Sequence, residues 1–140
     1  MILLDTSVIL AAIGEDEPRH LECGAALAAA EPPIVLSPFV LAEADYMIQK
    51  YVGFEFELEF LKDVAADAYQ LVTMDRRDID FAREIMSRYR ELNIGLTDAS
   101  IVVLAKRYDC FDILTLDERH FRALRVPGSR RPFRILPADL

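Results

Sequence analysis

The chain has 140 residues, 53% of them hydrophobic and 29% charged, with a formal net charge of −8. That length makes one domain, residues 1–140, able to bury about two-thirds of its unfolded surface. Disorder and a disulfide scaffold are both excluded, the first by the apolar content and the second by a count of two cysteines.

Met1 to Asp5 is an apolar run ending in an acid and predicts a buried strand, followed by a short helix over Val8–Ile13 that Thr6 and Ser7 can cap. Gly14 and Pro18 punctuate the chain before an alanine-rich helix to about Ala30. Pro32-Pro33 ends that helix, and Ile34-Val35-Leu36 reads as a second strand. Ser37-Pro38 supplies a cap and a proline at the first helical position for a helix to about Tyr51. After Gly53, apolar residues at Phe54, Leu58, Leu61 and Ala65 mark a helix over 54–68. Tyr69–Thr73 reads as a strand, and Asp75 opens a long helix reaching about Leu92. A helix beginning at Thr97 or Asp98 is apolar nearly all round, so it is expected to be buried. Asp112–Thr115 is a strand, Glu118–Leu124 a short helix and Arg134–Leu136 a last strand. Alternating apolar strands and helices predict an α/β domain around a short, mainly parallel sheet of four to five strands.

Ligands of such a sheet bind beyond the carboxyl ends of its strands, and acids fall there. Asp5 ends the first strand, Asp117 lies just past the strand Asp112–Thr115, and Asp98 opens a helix. Glu43, two turns into the helix after the second strand, has Phe39, Val40, Tyr46 and Met47 as helical neighbours, which argues that it leans inward. Each acid alone has an ordinary reading as a helix cap, a first-turn acid or an ion-pair partner. Together they predict one cluster, with Asp109 and Asp112 at the opposite edge. Unit charges about 4 Å apart repel by roughly 4 kcal/mol at an effective dielectric near 20, so converging carboxylates need a counter-charge. All-oxygen ligands select Mg²⁺ or Mn²⁺, and a carboxylate-held ion of that kind suits in-line hydrolysis of a phosphodiester. Thr6, Ser7, Thr97 and Thr115 flank the acids and can hydrogen-bond them or water on the metal.

The stretches Leu4-Asp5-Thr6-Ser7-Val8, Ser37–Glu43, Leu96-Thr97-Asp98-Ala99 and Leu114-Thr115-Leu116-Asp117 resemble the PIN-domain ribonucleases, and among them the VapC-type toxins of bacterial toxin–antitoxin pairs. Phe121 and Leu136-Pro137 also fit, so the likeness spans essentially the whole chain. The resemblance implies a three-layer α/β/α fold and a Mg²⁺- or Mn²⁺-dependent endoribonuclease that cuts transfer or ribosomal RNA to arrest translation. It implies a homodimer, inhibition by a VapB-type antitoxin, and a heterotetramer or larger complex with it. Asp5, Glu43, Asp98 and Asp117 fall on the family's acidic quartet. Glu118 is the alternative to Asp117, whose position is the least constant of the four.

The net charge hides an asymmetry: residues 105–140 carry 8 basic and 5 acidic side chains, against 8 and 19 before them. Arg119, Arg122, Arg125, Arg130, Arg131 and Arg134, beginning two residues after a proposed metal ligand, are expected to rim the acidic site and grip RNA phosphates. Tyr46, Tyr51, Phe54, Phe56 and Phe60 are more aromatics than one helix hairpin buries locally, and part of this set is expected to face an antitoxin helix or a dimer partner.

No apolar stretch approaches the roughly 20 residues of a membrane span, the N-terminus has no basic leader, and Cys23 and Cys110 lack metal or redox spacing. A cytoplasmic protein without membrane contact is the expectation. A receiver-like signalling module is disfavoured because Lys50, Lys62 and Lys106 all lie in helical segments. Ser7 stands where a haloacid-dehalogenase-like phosphatase needs a second Asp, and five scattered glycines make no phosphate loop. The surviving competitor is a PIN domain that has lost catalysis and serves as an RNA- or protein-binding module.

Overall fold

A computed structural model describes all of residues 1–140. Five short strands, β1 (Ile2–Leu4), β2 (Ile34–Leu36), β3 (Gln70–Leu71), β4 (Asp112–Leu114) and β5 (Arg134–Leu136), form one sheet. The helices are α1 (Thr6–Ile13), α2 (His20–Ala29), α3 (Pro38–Tyr51), α4 (Phe54–Ala65), α5 (Arg76–Arg88), α6 (Leu96–Tyr108) and α7 (Glu118–Phe121). A 3₁₀ turn at Arg90–Leu92 joins α5 to α6. None of the helices is long and apolar enough to cross a membrane.

Local chemistry sets these boundaries. Ser37 Oγ accepts the Phe39 N–H at 3.1 Å, with Pro38 at the first helical position of α3. Asp75 and Asp78 form a reciprocal capping box on α5. Gly53, at φ 144°, lets the chain turn from α3 into α4 with no intervening loop, a backbone angle that a side chain would strain. Helix α4 stops at Ala65, three residues earlier than its spacing predicts, because Asp67 takes a left-handed turn at φ 67°. The third strand is correspondingly short. It sits at the sheet edge with both residues exposed.

Strand order is β3-β2-β1-β4-β5, and every pairing is parallel. The chain first builds outward from β1 through β2 to β3, then returns to place β4 on the other side of β1. Right-handed crossovers put the helices before and after such a reversal on opposite faces, giving an α/β/α sandwich. The reversal also opens a crevice at the carboxyl ends of β1 and β4, where such folds bind ligands. Helix α1 packs on α2 and α3, and α5 on α6. The core includes Leu3, Leu4, Ile9, Leu36, Ile48, Ile85, Ile101, Leu104, Ile113 and Leu114, and α6 is buried from Ala99 to Ala105 as expected. Cys23 and Cys110 are buried free thiols within it.

Candidate active site

Asp5 follows β1 directly, and its N–H continues the sheet by donating to the Leu114 carbonyl at 3.0 Å. Its side chain makes no capping bond to α1. Instead Asp5 Oδ2 accepts from Thr115 Oγ1 at 2.6 Å and from Ser7 Oγ at 3.1 Å. Those hydroxyls accept in turn, Thr115 from the Asp117 N–H and Ser7 from the Leu116 N–H, each at 2.9 Å. Two serine/threonine side chains therefore bind Asp5 and the β4–α7 loop into one unit. Asp5 is 5% exposed, and this burial, more than the neighbouring charge of Glu43, raises its carboxyl's affinity for a proton.

Asp98 lies in the first turn of α6. Burial, followed by the charges of Asp5 and Asp117, pushes its carboxyl up to about 6. The start of α6 is tied to the start of α3 through buried hydroxyls. Ser100 Oγ donates to the Thr97 carbonyl at 2.6 Å and lies 2.8 Å from Ser37 Oγ. This pair holds the helix carrying Glu43 against the helix carrying Asp98.

Asp5, Glu43, Asp98 and Asp117 all line one cavity of about 320 Å³, together with Thr6, Ser7, Met47, Gly95, Thr97 and His120. Glu43 is exposed at the cavity's edge rather than drawn inward, since α3 turns Val40, Ala44 and Ile48 toward the core. Asp117 combines two roles. It caps α7 through Oδ1, which accepts the His120 N–H at 3.1 Å, and it presents Oδ2 to the cavity's histidine. Glu118 turns away to pair with Arg122 at 2.8 Å, leaving Asp117 as the acid of this loop that reaches the cavity.

The basic segment does not gather around the acids. Arg134 pairs with Asp112 at 3.5 Å, and the two are register partners at the amino ends of β4 and β5, the far edge of the sheet. Arg131 stacks on Phe111 at the same edge, 4.4 Å from the ring centre. Arg122 is engaged by Glu118 and Asp139, and its two bonds hold the Asp139 carboxyl down to about 2. Arg125 donates to the carbonyls of Arg122 and Leu124. Arg130 is exposed on the same loop as Arg131. Arg119 is exposed on α7, next in sequence to the cavity residue His120. Parallel β5 explains the difference: its connection from α7 must return to the amino edge before the strand begins.

The donor set fits a hard dication. Four carboxylates meet without a lysine or arginine among the cavity residues. Thr6, also a cavity residue, is 3% exposed, and its Oγ1 is a buried hydroxyl without a hydrogen-bond partner. The sequence gives no reason to place His120 in the site, yet it faces Asp98 and Asp117. Only its spacing from Asp117, three residues across the first turn of α7, links it to the acids along the chain.

Residues 2–126 match the PIN domain family model. Over 136 residues the chain is 39% identical to Ribonuclease VapC26 of Mycobacterium tuberculosis, covering 97% of this chain and all of that relative. Among solved structures, Mycobacterium tuberculosis VapC20, described as a sarcin–ricin loop cleaving toxin, superposes with a TM-score of 0.79 at 18% identity, covering 84% of this chain and 90% of that one. A toxin–antitoxin complex from Klebsiella pneumoniae gives 0.65 at 21% identity, covering 96% and 100%. These two likenesses establish the fold. The chain belongs to the PIN-domain family and, by its full-length identity to a curated member, to the VapC ribonucleases within it.

Proposed function

We propose that this chain is a divalent-metal-dependent endoribonuclease of the toxin class, cutting phosphodiester bonds of RNA in the cytoplasm and held inactive by a VapB-type antitoxin. The observation that carries it is the meeting of Asp5, Glu43, Asp98 and Asp117, from four separate segments, on one cavity at the sheet's reversal point. These residues would hold Mg²⁺, with Mn²⁺ as the alternative. A bound dication supplies the counter-charge, orients water for in-line attack and neutralises charge on the phosphate. Ser7 and Thr115 hold Asp5 through its Oδ2, and Asp98 and Asp117 would share the ion with it. Arg119, exposed on α7 next to His120, would meet a flanking phosphate of the RNA.

Incubating the purified chain with total RNA is the direct test. Discrete cuts are expected with Mg²⁺ or Mn²⁺ and none with EDTA; intact RNA under every metal condition would refute the reading.

The partner surface follows from a reversal on α4. Its apolar residues Phe54, Leu58 and Leu61 are 57%, 45% and 36% exposed, while Glu57 points inward toward Asp45 and Gln49. Tyr46, Tyr51 and Phe56 are likewise exposed, whereas Phe60 is buried against Tyr69 and belongs to the core. So large an apolar patch on one helix hairpin is what an antitoxin helix or a second copy of the chain covers, consistent with a homodimer and larger antitoxin complexes. Tyr46→Ser combined with Leu58→Ser is expected to weaken antitoxin binding by about 30-fold or more in calorimetry. RNA cleavage should stay at the wild-type level. Unchanged antitoxin affinity would move the partner to another face.

A further inference from the structure

A four-acid metal site leaves His120 unexplained. Its side chain is 21% exposed and stands among the acids, with Nδ1 2.8 Å from Asp117 Oδ2 and 3.7 Å from Asp98 Oδ2. One donor atom from each of the three residues lies within 4.8 Å of both others. Adjacent ligands of an octahedral ion bonded at about 2.1 Å sit about 3 Å apart, and opposite ligands about 4.2 Å. His120 Nδ1 stands within that range from both Asp117 Oδ2 and Asp98 Oδ2.

The short helix holds that arrangement firmly. Asp117 Oδ1 is committed to the His120 N–H, so Oδ2 is the oxygen free to meet the imidazole. Phe121 is fully buried and packs edge-on against Phe133 with ring centres 6.2 Å apart, anchoring α7 beneath the cavity. His120 therefore reaches into the same space as the carboxylates from a fixed base.

Resting on the reading of this cavity as a dication site, we propose that His120 is a nitrogen ligand of the ion, completing a shell with Asp98 and Asp117. An imidazole ligand changes which ion the protein prefers. Mg²⁺ is held by oxygen donors, whereas a mixed nitrogen and oxygen site binds first-row transition ions with affinity rising from Mn²⁺ through Co²⁺ to Ni²⁺. His120 tilts the site from Mg²⁺ toward Mn²⁺ and its successors.

The chain's composition makes the test clean. It has two histidines, and the other, His20, has Nδ1 2.8 Å from the Ala11 carbonyl and is not among the cavity residues. Pulsed electron paramagnetic resonance of the Mn²⁺-loaded wild type is expected to show ¹⁴N coupling of imidazole type, and His120→Gln to lose it. In calorimetric titrations the same substitution is expected to lower Mn²⁺ affinity by at least about tenfold. Mg²⁺ affinity should change by less than about threefold. Bound Mn²⁺ with no nitrogen coupling in the wild type overturns the ligand role and leaves the carboxylate site standing. Equal losses for both ions in His120→Gln overturn it as well, reducing His120 to a group that orients Asp117. Failure of the wild type to bind either ion brings down the metal reading itself, and the ligand with it. The spectroscopic measurement needs no variant, so it decides the question even if His120→Gln does not fold.

Discussion

Asp5→Asn is expected to lower metal-dependent RNA cleavage by at least about 10³-fold while the protein stays folded. The substitution is nearly isosteric, and an amide oxygen can take over the bonds from Ser7 and Thr115 at the Oδ2 position. That choice turns the amide N–H₂ toward the cavity, presenting donors where a cation needs lone pairs. The change is therefore confined to the face that would hold the ion, and the network joining β1 to the β4–α7 loop survives. Metal-ion stabilisation of developing charge accounts for several kcal/mol of a hydrolytic barrier, and each 1.36 kcal/mol is tenfold in rate. Measuring initial rates of RNA cleavage at saturating Mg²⁺ and Mn²⁺, alongside a thermal melt to confirm folding, checks the expectation. Activity within tenfold of wild type would mean that the nuclease centre lies elsewhere or that the cuts come from a contaminant.

Asp98→Asn separates stability from activity in opposite directions. In the metal-free protein Asp98 is crowded by burial and by the charges of Asp5 and Asp117, which raises its carboxyl from 3.8 to about 6. Between those two values the folded chain keeps a proton that the unfolded chain has released, so stability falls as pH rises through that window. Above about 6 both states are ionised and the penalty from this group is constant. It is at most about 3 kcal/mol by the size of the rise, and solvent screening of a partly exposed carboxyl reduces it to about 1 kcal/mol. Neutralising Asp98 removes the penalty, so Asp98→Asn is expected to melt about 4 °C higher than wild type at pH 7.5 without metal. Dications reverse the ranking. At one hundred times its dissociation constant an ion adds about 2.7 kcal/mol to the wild type, and Asp98→Asn loses most of that gain along with cleavage. Melts at pH 4.5 and 7.5, with EDTA and with Mn²⁺, test the full pattern. A variant less stable than wild type under EDTA at pH 7.5 would show that the acids are not under mutual repulsion.

The acidic cluster was legible because strand ends are legible. Ile2–Leu4 and Asp112–Leu114 are short apolar runs that end in or just before an acid, and a parallel sheet brings all such ends to one edge. The arginines misled for the same reason applied in reverse. Their proximity to Asp117 along the chain suggested proximity in space, yet the connection to β5 carries Arg131 and Arg134 to the opposite edge, beside Phe111 and Asp112. Helix α4 was read with the correct period, but period alone does not say whether a stripe faces the chain's own core or a partner. Phe54, Leu58 and Leu61 lie on the outward side.

Alternation of apolar runs with capped helices, and an acid at the end of each relevant run, were sufficient in the sequence to define an α/β domain with a carboxylate site. These are local properties, set by backbone propensities and by which side chains prefer water. Tertiary structure decided what depends on distances between segments: the burial of Asp5 beneath Ser7 and Thr115, the pairing of Glu118 away from the cavity, and the place of His120 among the acids. Such contacts depend on three-dimensional packing and electrostatic balance, which no single stretch of chain contains.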